Sequence, residues 1–226
     1  MGQSISSPRI TNNLDTNFIK MFAIITMLID HIGKILYPDV LILQTIGRIA
    51  FPLFAYCIVV GVLYTSDVKK YVLRLALCGI VSQPFYVLAF DTDWLVSNIF
   101  LTLLVGVLVI HTIDKRRWIL LGLLIVFSGV SNIDYGLRGI LLMIVFYVFR
   151  ENPRKSILMS TLILILPTVN DLIFQNQDMS IQGFSVLALP LIYLHTDFNL
   201  RINKFVFYGF YPIHLLTIYL VKNFVL

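Results

Sequence analysis

Charged side chains are scarce in this sequence. Only 13% of its 226 residues are Asp, Glu, Lys or Arg, and just 12 of them are acidic. Hydrophobic residues make up 58% of the chain and the mean hydropathy is +0.89, so the apolar share exceeds that of an ordinary water-soluble domain. The shortage of charge therefore argues against a soluble enzyme and predicts a chain that lies largely in a lipid bilayer.

Cysteine and the familiar active-site motifs are also scarce. The two cysteines, Cys57 and Cys78, lie in apolar runs, where a small buried hydrophobic side chain is the expected role. A structural disulfide or an acyl-carrying thiol is the alternative. Metal-ligand spacings, a Walker loop, a dinucleotide-binding glycine pattern and a Gly-x-Ser-x-Gly elbow are all missing. We therefore predict no metal site and no common soluble catalytic centre.

Nine apolar spans follow a polar N-terminal segment over residues 1–17. They cover residues 18–37, 40–63, 71–90, 97–113, 118–130, 136–150, 156–170, 181–195 and 204–222. The fifth, sixth and eighth are short for membrane helices, which leaves eight or ten spans as alternatives. We predict an all-α, polytopic integral membrane protein with about nine transmembrane helices, forming one domain over residues 18–226. Residues 1–17 lack a signal-peptide pattern, so we expect the first span to be retained.

Basic residues alternate between the two sides of this predicted bundle. With the N-terminus inside, 13 of the 17 basic residues fall on inner segments. They are Arg9, Lys20, Lys69, Lys70, Arg74, Lys115, Arg116, Arg117, Arg150, Arg154, Lys155, Arg201 and Lys204. Because short loops rich in Lys and Arg remain cytoplasmic, the pattern predicts a multi-pass protein of the cell membrane with a cytoplasmic N-terminus. The net charge of +5 then reflects topology, and we expect no nucleic-acid partner.

Asp30, His31 and Arg48 lie deep inside the first two spans. At about 1.5 Å per residue, Asp30 and His31 are about 18 to 20 Å from the inner end of the first span, and Arg48 is about 12 Å from the outer end of the second. All three therefore meet in the outer half of the bilayer. Charges at such depth cost several kcal/mol and nearly always face a protein interior or a water-filled cavity. A polar cavity that opens outward is the simplest arrangement.

These side chains have a chemical and a structural interpretation. His31 can accept a proton near neutral pH, or it can serve as a hydrogen-bonded histidine between helices. Asp30 can pair with Arg48 or, one turn further, with Lys34. Such a pair can be purely structural, because either charge left alone in the membrane is expensive.

The first two inner loops carry basic clusters. One contains Lys69, Lys70 and Arg74, and the other contains Lys115, Arg116 and Arg117. The positive-inside rule explains both clusters by itself. The second interpretation is that they bind a phosphorylated cofactor.

Seven short motifs occur in this order along the chain. They are MLIDHIG at 27–33, IGRIAFPLFAY at 46–56, KYVLRL at 70–75, SQP at 82–84, SNIFLT at 97–102, YG at 135–136 and YPIHL at 211–215. Together they resemble the TraX family, named for the F-pilin acetylase, over most of the chain from about residue 18. The family is distantly similar to the acyltransferase 3 enzymes and the lysosomal heparan acetyltransferase.

The resemblance implies a membrane acetyltransferase that uses cytosolic acetyl-coenzyme A to modify an acceptor on the outer side. His31 and Arg48 match a histidine and an arginine that serve the reaction in those relatives, and we place Asp30 in the same catalytic group. The residues expected to bind substrate or coenzyme are Lys70, Arg74, Gln83, Asn98, Arg116, Arg117, Tyr135 and His214. The expected acceptor is a hydroxyl or amine of a pilin-like protein or a glycan.

Two mechanisms and two other function classes remain open at this point. His31 can deprotonate the acceptor for direct attack on the thioester, with Arg48 stabilising negative charge, or it can carry the acetyl group itself. A proton-coupled small-solute transporter would also use Asp30, His31 and Arg48, without any dependence on coenzyme A. A non-catalytic scaffold would need partner-binding loops, whereas the loops here are short.

Overall fold

The computed structural model describes residue 10 and residues 12–131, 133–174, 177–198 and 200–225. Within these ranges the chain is all-α, with one isolated bridge between Ser97 and Ile133 as its only extended pairing. The helices are α1 Thr16–Leu36, α2 Leu41–Gly47, α3 Ala50–Tyr64, α4 Val68–Phe90, α5 Ile99–Asp114, α6 Trp118–Val130, α7 Gly136–Val148, α8 Pro153–Phe174, a 3₁₀-helix Gln177–Ala188, α9 Leu189–Tyr193 and α10 Lys204–Phe224. Arg9 and most of the polar segment 1–17 lie outside the described residues.

The predicted spans coincide with these helices. Helices α2 and α3 form one segment, and the 3₁₀-helix with α9 accounts for the eighth span. In the part of the chain that the structure describes, three helical segments are long and apolar enough to cross a membrane: Leu41–Tyr64, Val68–Phe90 and Phe205–Phe224. The all-α prediction is confirmed for the described part of the chain, whereas nine crossings and a cytoplasmic N-terminus stay predictions.

Short connections make successive helical segments run in opposite directions, which gives the bundle two distinct ends. We call the end that holds the start of α1 the near end; it also holds the loops α3–α4, α5–α6, α7–α8 and α9–α10. The opposite, far end holds the loops α1–α2, α4–α5 and α6–α7. The bridge between Ser97 and Ile133 joins two of these far-end loops.

Side-chain caps fix the start of four helices. The carboxylates of Asp15 and Asp67 cap α1 and α4, and the amide oxygens of Asn98 and Asn203 cap α5 and α10, each accepting a backbone N–H from the first turn. Such caps satisfy donors that a helix leaves unpaired at its N-terminus. These are four of the helices whose side chains build the site described below.

Helix α3 is central and packs against α1, α5 and α7. Its Leu53 and Tyr56 are almost completely buried, and the Tyr56 hydroxyl donates to the carbonyl oxygen of Asn13 at 2.6 Å. Helix α1 also packs closely on α2, because Gly47 leaves no side chain between the α2 backbone and Asp30. This close approach brings the α2–α3 junction, and with it Arg48, against Asp30 in the C-terminal half of α1.

Candidate functional site

Two buried histidines meet where α1 and α10 pack together. The Nδ1 atom of His31 lies 2.7 Å from the Nε2 atom of His214. The two rings are nearly parallel, with centroids 5.0 Å apart and an interplanar angle of 13°. These residues are 183 positions apart in the chain, so the contact depends entirely on the packing of the first helix against the last.

The hydrogen bonds assign the proton positions of this pair. Nδ1 of His214 lies 2.8 Å from the carbonyl oxygen of Phe210, and because a carbonyl only accepts, Nδ1 carries the hydrogen. In the neutral ring Nε2 of His214 is then an acceptor, so Nδ1 of His31 must be the donor. This leaves a lone pair on Nε2 of His31, which has no hydrogen-bond partner among the described residues.

Aromatic side chains hold both rings in place. Phe90 and Tyr211 meet the His31 ring edge-on, with centroid distances of 5.1 and 6.1 Å. Phe210 stacks on the His214 ring at 4.8 Å. Such packing limits rotation of the imidazoles and keeps their surroundings apolar. The site therefore presents one nitrogen of His31 in a fixed orientation.

A cluster of three paired charges lies beside His31. Asp30 accepts from Nη2 of Arg48 and from Nζ of Lys34, the latter at 2.8 Å. Arg48 also donates from Nε to the carbonyl oxygen of Gln44 at 3.1 Å. Asp30 thus pairs with both cations that the sequence offered as partners. We name Asp30, Lys34 and Arg48 the far cluster; its carboxylate neutralises one of its two positive charges.

Two adjacent cavities reach this region. The far cavity, of about 60 Å³, is lined by residues that include Asp30, His31 and Tyr135. The near cavity, of about 260 Å³, is lined by residues that include Lys20 and Arg74. Both cavities share the lining residues Met27, Phe54, Ile99 and Tyr211. A ligand that fills the near cavity would therefore end close to His31.

One face of α1 runs along both cavities. Lys20 and Met27 line the near cavity, and Met27 and His31 line the far one. The separations of seven and four residues put these three side chains on the same face of a helix. The sequence contained this spacing, but we assigned Lys20 to membrane topology alone and missed it as a site residue.

Two of the three predicted catalytic residues line the far cavity, and the third does not. Asp30 and His31 line the far cavity, whereas Arg48 is not among the described residues that line it. Arg48 is 5% exposed and lies behind Asp30, to which it is bound. Its contact with any substrate would be indirect.

The predicted basic residues separate in the same way. Arg74 lines the near cavity. Lys70, Arg116 and Arg117 are exposed at the near end and are not among the described lining residues. Lys70 instead forms an ion pair with Asp67 at 3.4 Å. The structure therefore brings one of these four cations to the cavity.

Gln83 and Asn98 use their polar groups to join α4 to α5. The Asn98 amide nitrogen donates to Gln83 Oε1 and to the carbonyl oxygen of Gly79, both at 2.8 Å. Nε2 of Gln83 donates to the carbonyl oxygen of Val96 at 2.7 Å. These bonds position the start of α5, whose Ile99 and Phe100 line the near cavity.

Tyr135 forms part of the far-cavity wall. It lies in the left-handed backbone region at φ 59° just before α7. Its ring stacks on Phe51 with centroids 3.8 Å apart and an interplanar angle of 8°. Among the residues that the structure describes, no group of three or more His, Cys, Asp or Glu side chains is placed to bind a metal ion.

A family model and several known proteins match most of this chain. The family model described as "TraX protein" matches residues 15–222. The chain is 25% identical to "Uncharacterized protein RP591" of Rickettsia prowazekii, over 82% of this chain and 81% of the relative. It is 24% identical to "Probable fimbrial assembly protein FimC, serogroup H1" of Dichelobacter nodosus, over 91% of this chain and 95% of the relative.

A third relative is "Protein TraX" of Escherichia coli K12, 25% identical over 68% of this chain and 65% of the relative. No solved structure matches the chain. The family model nevertheless covers nearly all of the described residues, and the long apolar helices are those of a membrane protein. The chain therefore belongs to the TraX family.

Proposed function

We propose that this chain is a multi-pass acetyltransferase of the cytoplasmic membrane. It would transfer an acetyl group from acetyl-coenzyme A, taken up at the near end, to an acceptor hydroxyl or amine at the far end. The observation that carries the proposal is the free Nε2 of His31 at the far cavity, which adjoins a near cavity lined by the two cations Lys20 and Arg74. The TraX family and a relative named as a probable fimbrial assembly protein support a pilin-like acceptor, with a glycan as the alternative.

The distribution of basic residues supports a cytoplasmic near end. Lys69 and Lys70 lie at the start of α4, Arg116 and Arg117 lie between α5 and α6, and Arg154 lies at the start of α8. All five side chains are exposed at the same end of the bundle. Clusters of Lys and Arg in short loops favour retention on the cytoplasmic side.

In the proposed reaction His31 acts as the general base. Nε2 takes the proton of the acceptor O–H or N–H as that atom attacks the carbonyl carbon of the thioester. The carbon–sulfur bond then breaks, and Nε2 returns the proton to the departing thiolate, giving free coenzyme A and the acetylated acceptor. The bond from His31 Nδ1–H to His214 stays intact throughout, so His214 is a positioning residue.

The far cluster contributes through charge and shape. Arg48 is held by Asp30 and by the carbonyl oxygen of Gln44, so we assign it to positioning rather than to direct contact with the coenzyme. The cluster has two cations and one carboxylate. Asp134 also lines the far cavity and acts electrostatically on Lys34 and Arg48. The two cations would therefore stabilise the negative oxygen of a tetrahedral intermediate through their fixed positions rather than through a net positive charge, as a preorganised field does in other enzymes.

A covalent acetyl-His31 intermediate is the second mechanism. The lone pair on Nε2 is equally suited to attack the thioester itself. Steady-state kinetics separate the two: parallel double-reciprocal plots and thiol release without acceptor favour acetyl-His31, and an obligatory ternary complex favours direct transfer.

The decisive test compares histidine variants of the purified protein in lipid nanodiscs. Wild type, His31→Gln, His214→Gln and the control His195→Gln are mixed with acetyl-coenzyme A and candidate acceptors, and free thiol and thermal stability are measured. His195 is the control because it is exposed on the near-end loop after α9. We expect acetyl-coenzyme A to stabilise all four proteins, and only wild type and His195→Gln to release thiol at the full rate.

A lack of response to coenzyme A would favour the alternative function, a proton-coupled transporter. If no protein responds to acetyl-coenzyme A or coenzyme A at millimolar concentration, the acetyltransferase proposal is wrong. Counterflow of a small solute in proteoliposomes, lost in Asp30→Asn and His31→Gln, would then establish proton-coupled transport through the same residues.

A further inference from the structure

The near cavity contains two cations that no carboxylate balances within the described residues. Nζ of Lys20 lies 5.4 Å from the centre of the Phe207 ring, and the Arg74 guanidinium lies 5.7 Å from the centre of the Tyr71 ring. Nε of Arg74 is buried without a hydrogen-bond partner. Aromatic faces compensate a cation only in part, and a buried polar group without a partner is costly. These features are those of a site that receives an anion.

We propose that Lys20 and Arg74 bind the phosphate of a phosphopantetheine thioester, whose arm passes through the near cavity and ends at His31. The inference rests on the proposed function and adds the part of the donor that is recognised and the residues that recognise it. Lys20 was not among the residues predicted to bind the donor. It replaces Lys70, Arg116 and Arg117, which the structure leaves on the surface.

The length of α1 fits this ligand. Lys20 and His31 are eleven residues apart on one helix face, and at 1.5 Å per residue this is about 16 Å. An extended pantetheine arm has a length of this order between its phosphate and its sulfur. Between the two ends the cavity wall is mainly apolar, with Met27, Phe54 and Leu103, which suits the methylene and dimethyl groups of the arm.

Two sources offer the same chemistry: free acyl-coenzyme A, and an acyl-carrier protein that bears phosphopantetheine. In both, the arm ends at a phosphate group: the first phosphate of the diphosphate in coenzyme A, and the phosphodiester that joins the arm to the protein in a carrier protein. The test therefore measures binding of the non-reacting forms coenzyme A, 4′-phosphopantetheine and pantetheine to the full protein in nanodiscs, by thermal shift and by calorimetry. The variants are Lys20→Gln and Arg74→Gln, and the control is Lys155→Gln, an exposed near-end cation outside both cavities.

We expect wild type to bind coenzyme A and 4′-phosphopantetheine with similar affinity and pantetheine at least about tenfold more weakly, because a charge-assisted contact is lost. Lys20→Gln and Arg74→Gln should each weaken the two phosphorylated ligands by about tenfold and leave pantetheine unchanged. Lys155→Gln should match wild type for all three ligands. Because pantetheine reports on the rest of the cavity, a misfolded variant is recognised by loss of all three.

Equal binding of pantetheine and 4′-phosphopantetheine to wild type would overturn the inference, and so would an equal loss in Lys155→Gln. Either outcome combined with normal thiol release leaves the proposed function standing. Failure of every ligand to bind would instead remove the proposed function itself. Turnover with acetyl-coenzyme A against an acetyl-loaded carrier protein then separates the two sources: the donor that supports thiol release is the physiological class.

Discussion

Two groups of cations lie at different depths of the bundle, and they differ in how their charge is balanced. In the far cluster, Asp30 binds both Arg48 and Lys34. In the near cavity, Lys20 and Arg74 contact aromatic rings and have no carboxylate partner among the described residues. Buried charges that pair with one another are costly to separate, whereas a charge left unbalanced in a cavity is available to a ligand.

The largest expected effect comes from breaking the far cluster. Arg48→Leu leaves the buried Asp30 carboxylate with Lys34 as its remaining ion-pair partner. We expect the free energy of unfolding to fall by about 2 to 4 kcal/mol, less than for a buried charge left with no partner at all, because Lys34 still compensates the carboxylate. Thermal unfolding in a fixed detergent measures the change. The control is the double variant Asp30→Leu/Arg48→Leu, which removes both charges and should recover part of the loss. Equal stability of wild type and Arg48→Leu would show that the cluster is not structural.

Substitution of two glycines tests whether the close packing of α1 on α2 supports the far cluster. A methyl group at Gly47 would overlap the Asp30 side chain, which two ion pairs hold in place. We expect Gly47→Ala to lower the free energy of unfolding by about 1 to 3 kcal/mol, the usual cost of overpacking. The measurement is again thermal unfolding. Gly122→Ala is the matched control, since a methyl group there would meet nothing within 4 Å.

A stability of Gly47→Ala equal to that of Gly122→Ala would mean that α1 and α2 can separate without loss. The close approach would then not explain how Arg48 reaches Asp30.

The sequence predicted the helices well, and the physical reason is simple. An apolar run in a bilayer has to be helical to satisfy its backbone hydrogen bonds, so hydropathy alone located segments such as α4 and α5. Hydropathy did not, however, predict which face of each helix packs against the other helices. Ile119 is 85% exposed and Val107 is 0% exposed, although both are equally apolar, because lipid tails accept such side chains as readily as a protein core does.

The site was predicted only in part for the same reason. His31 and Asp30 were identifiable because polar groups in an apolar span are unusual. The contact between His214 and His31 could not be identified from the sequence, because nothing in it indicates that α1 and α10 are neighbours. Likewise, the positive-inside rule accounts for both Lys20, which lines a cavity, and Lys70, which lies in solvent. The spacing that puts Lys20 on the same helix face as His31 was the one feature that could have distinguished them.

Blocking the near cavity should affect binding more than folding. Gly61 lines this cavity, and a methyl group there would lie 2.7 Å from the Tyr71 hydroxyl. The methyl group would also lie 3.1 and 3.2 Å from Cζ and Cε1 of the Tyr71 ring. Because the cavity lies beside this ring, we expect the ring to shift at a cost of about 1 kcal/mol in the free energy of unfolding, at the low end for overpacking. We expect Gly61→Ala to weaken coenzyme A and pantetheine equally, as calorimetry would show.

Gly129→Ala, at another position where a methyl group meets nothing within 4 Å, is the control for Gly61→Ala. A variant that bound pantetheine normally and coenzyme A poorly would place the steric block at the phosphate, and the assignment of the arm to this part of the cavity would be wrong.

The smallest expected effect is on the ligand-free near cations. Removing an unbalanced charge costs little, so Lys20→Gln and Arg74→Gln should unfold within about 1 kcal/mol of wild type without ligand, on either side. Coenzyme A should stabilise wild type more than either variant. At a hundred times the wild-type Kd it adds about 2.7 kcal/mol to the free energy of unfolding of wild type and about 1.4 kcal/mol to that of a variant with tenfold weaker binding. Paired melting curves with and without coenzyme A measure both numbers. If ligand-free Lys20→Gln unfolds as early as Arg48→Leu does, the near cations support the fold, and the two groups do not differ in the way their partners indicate.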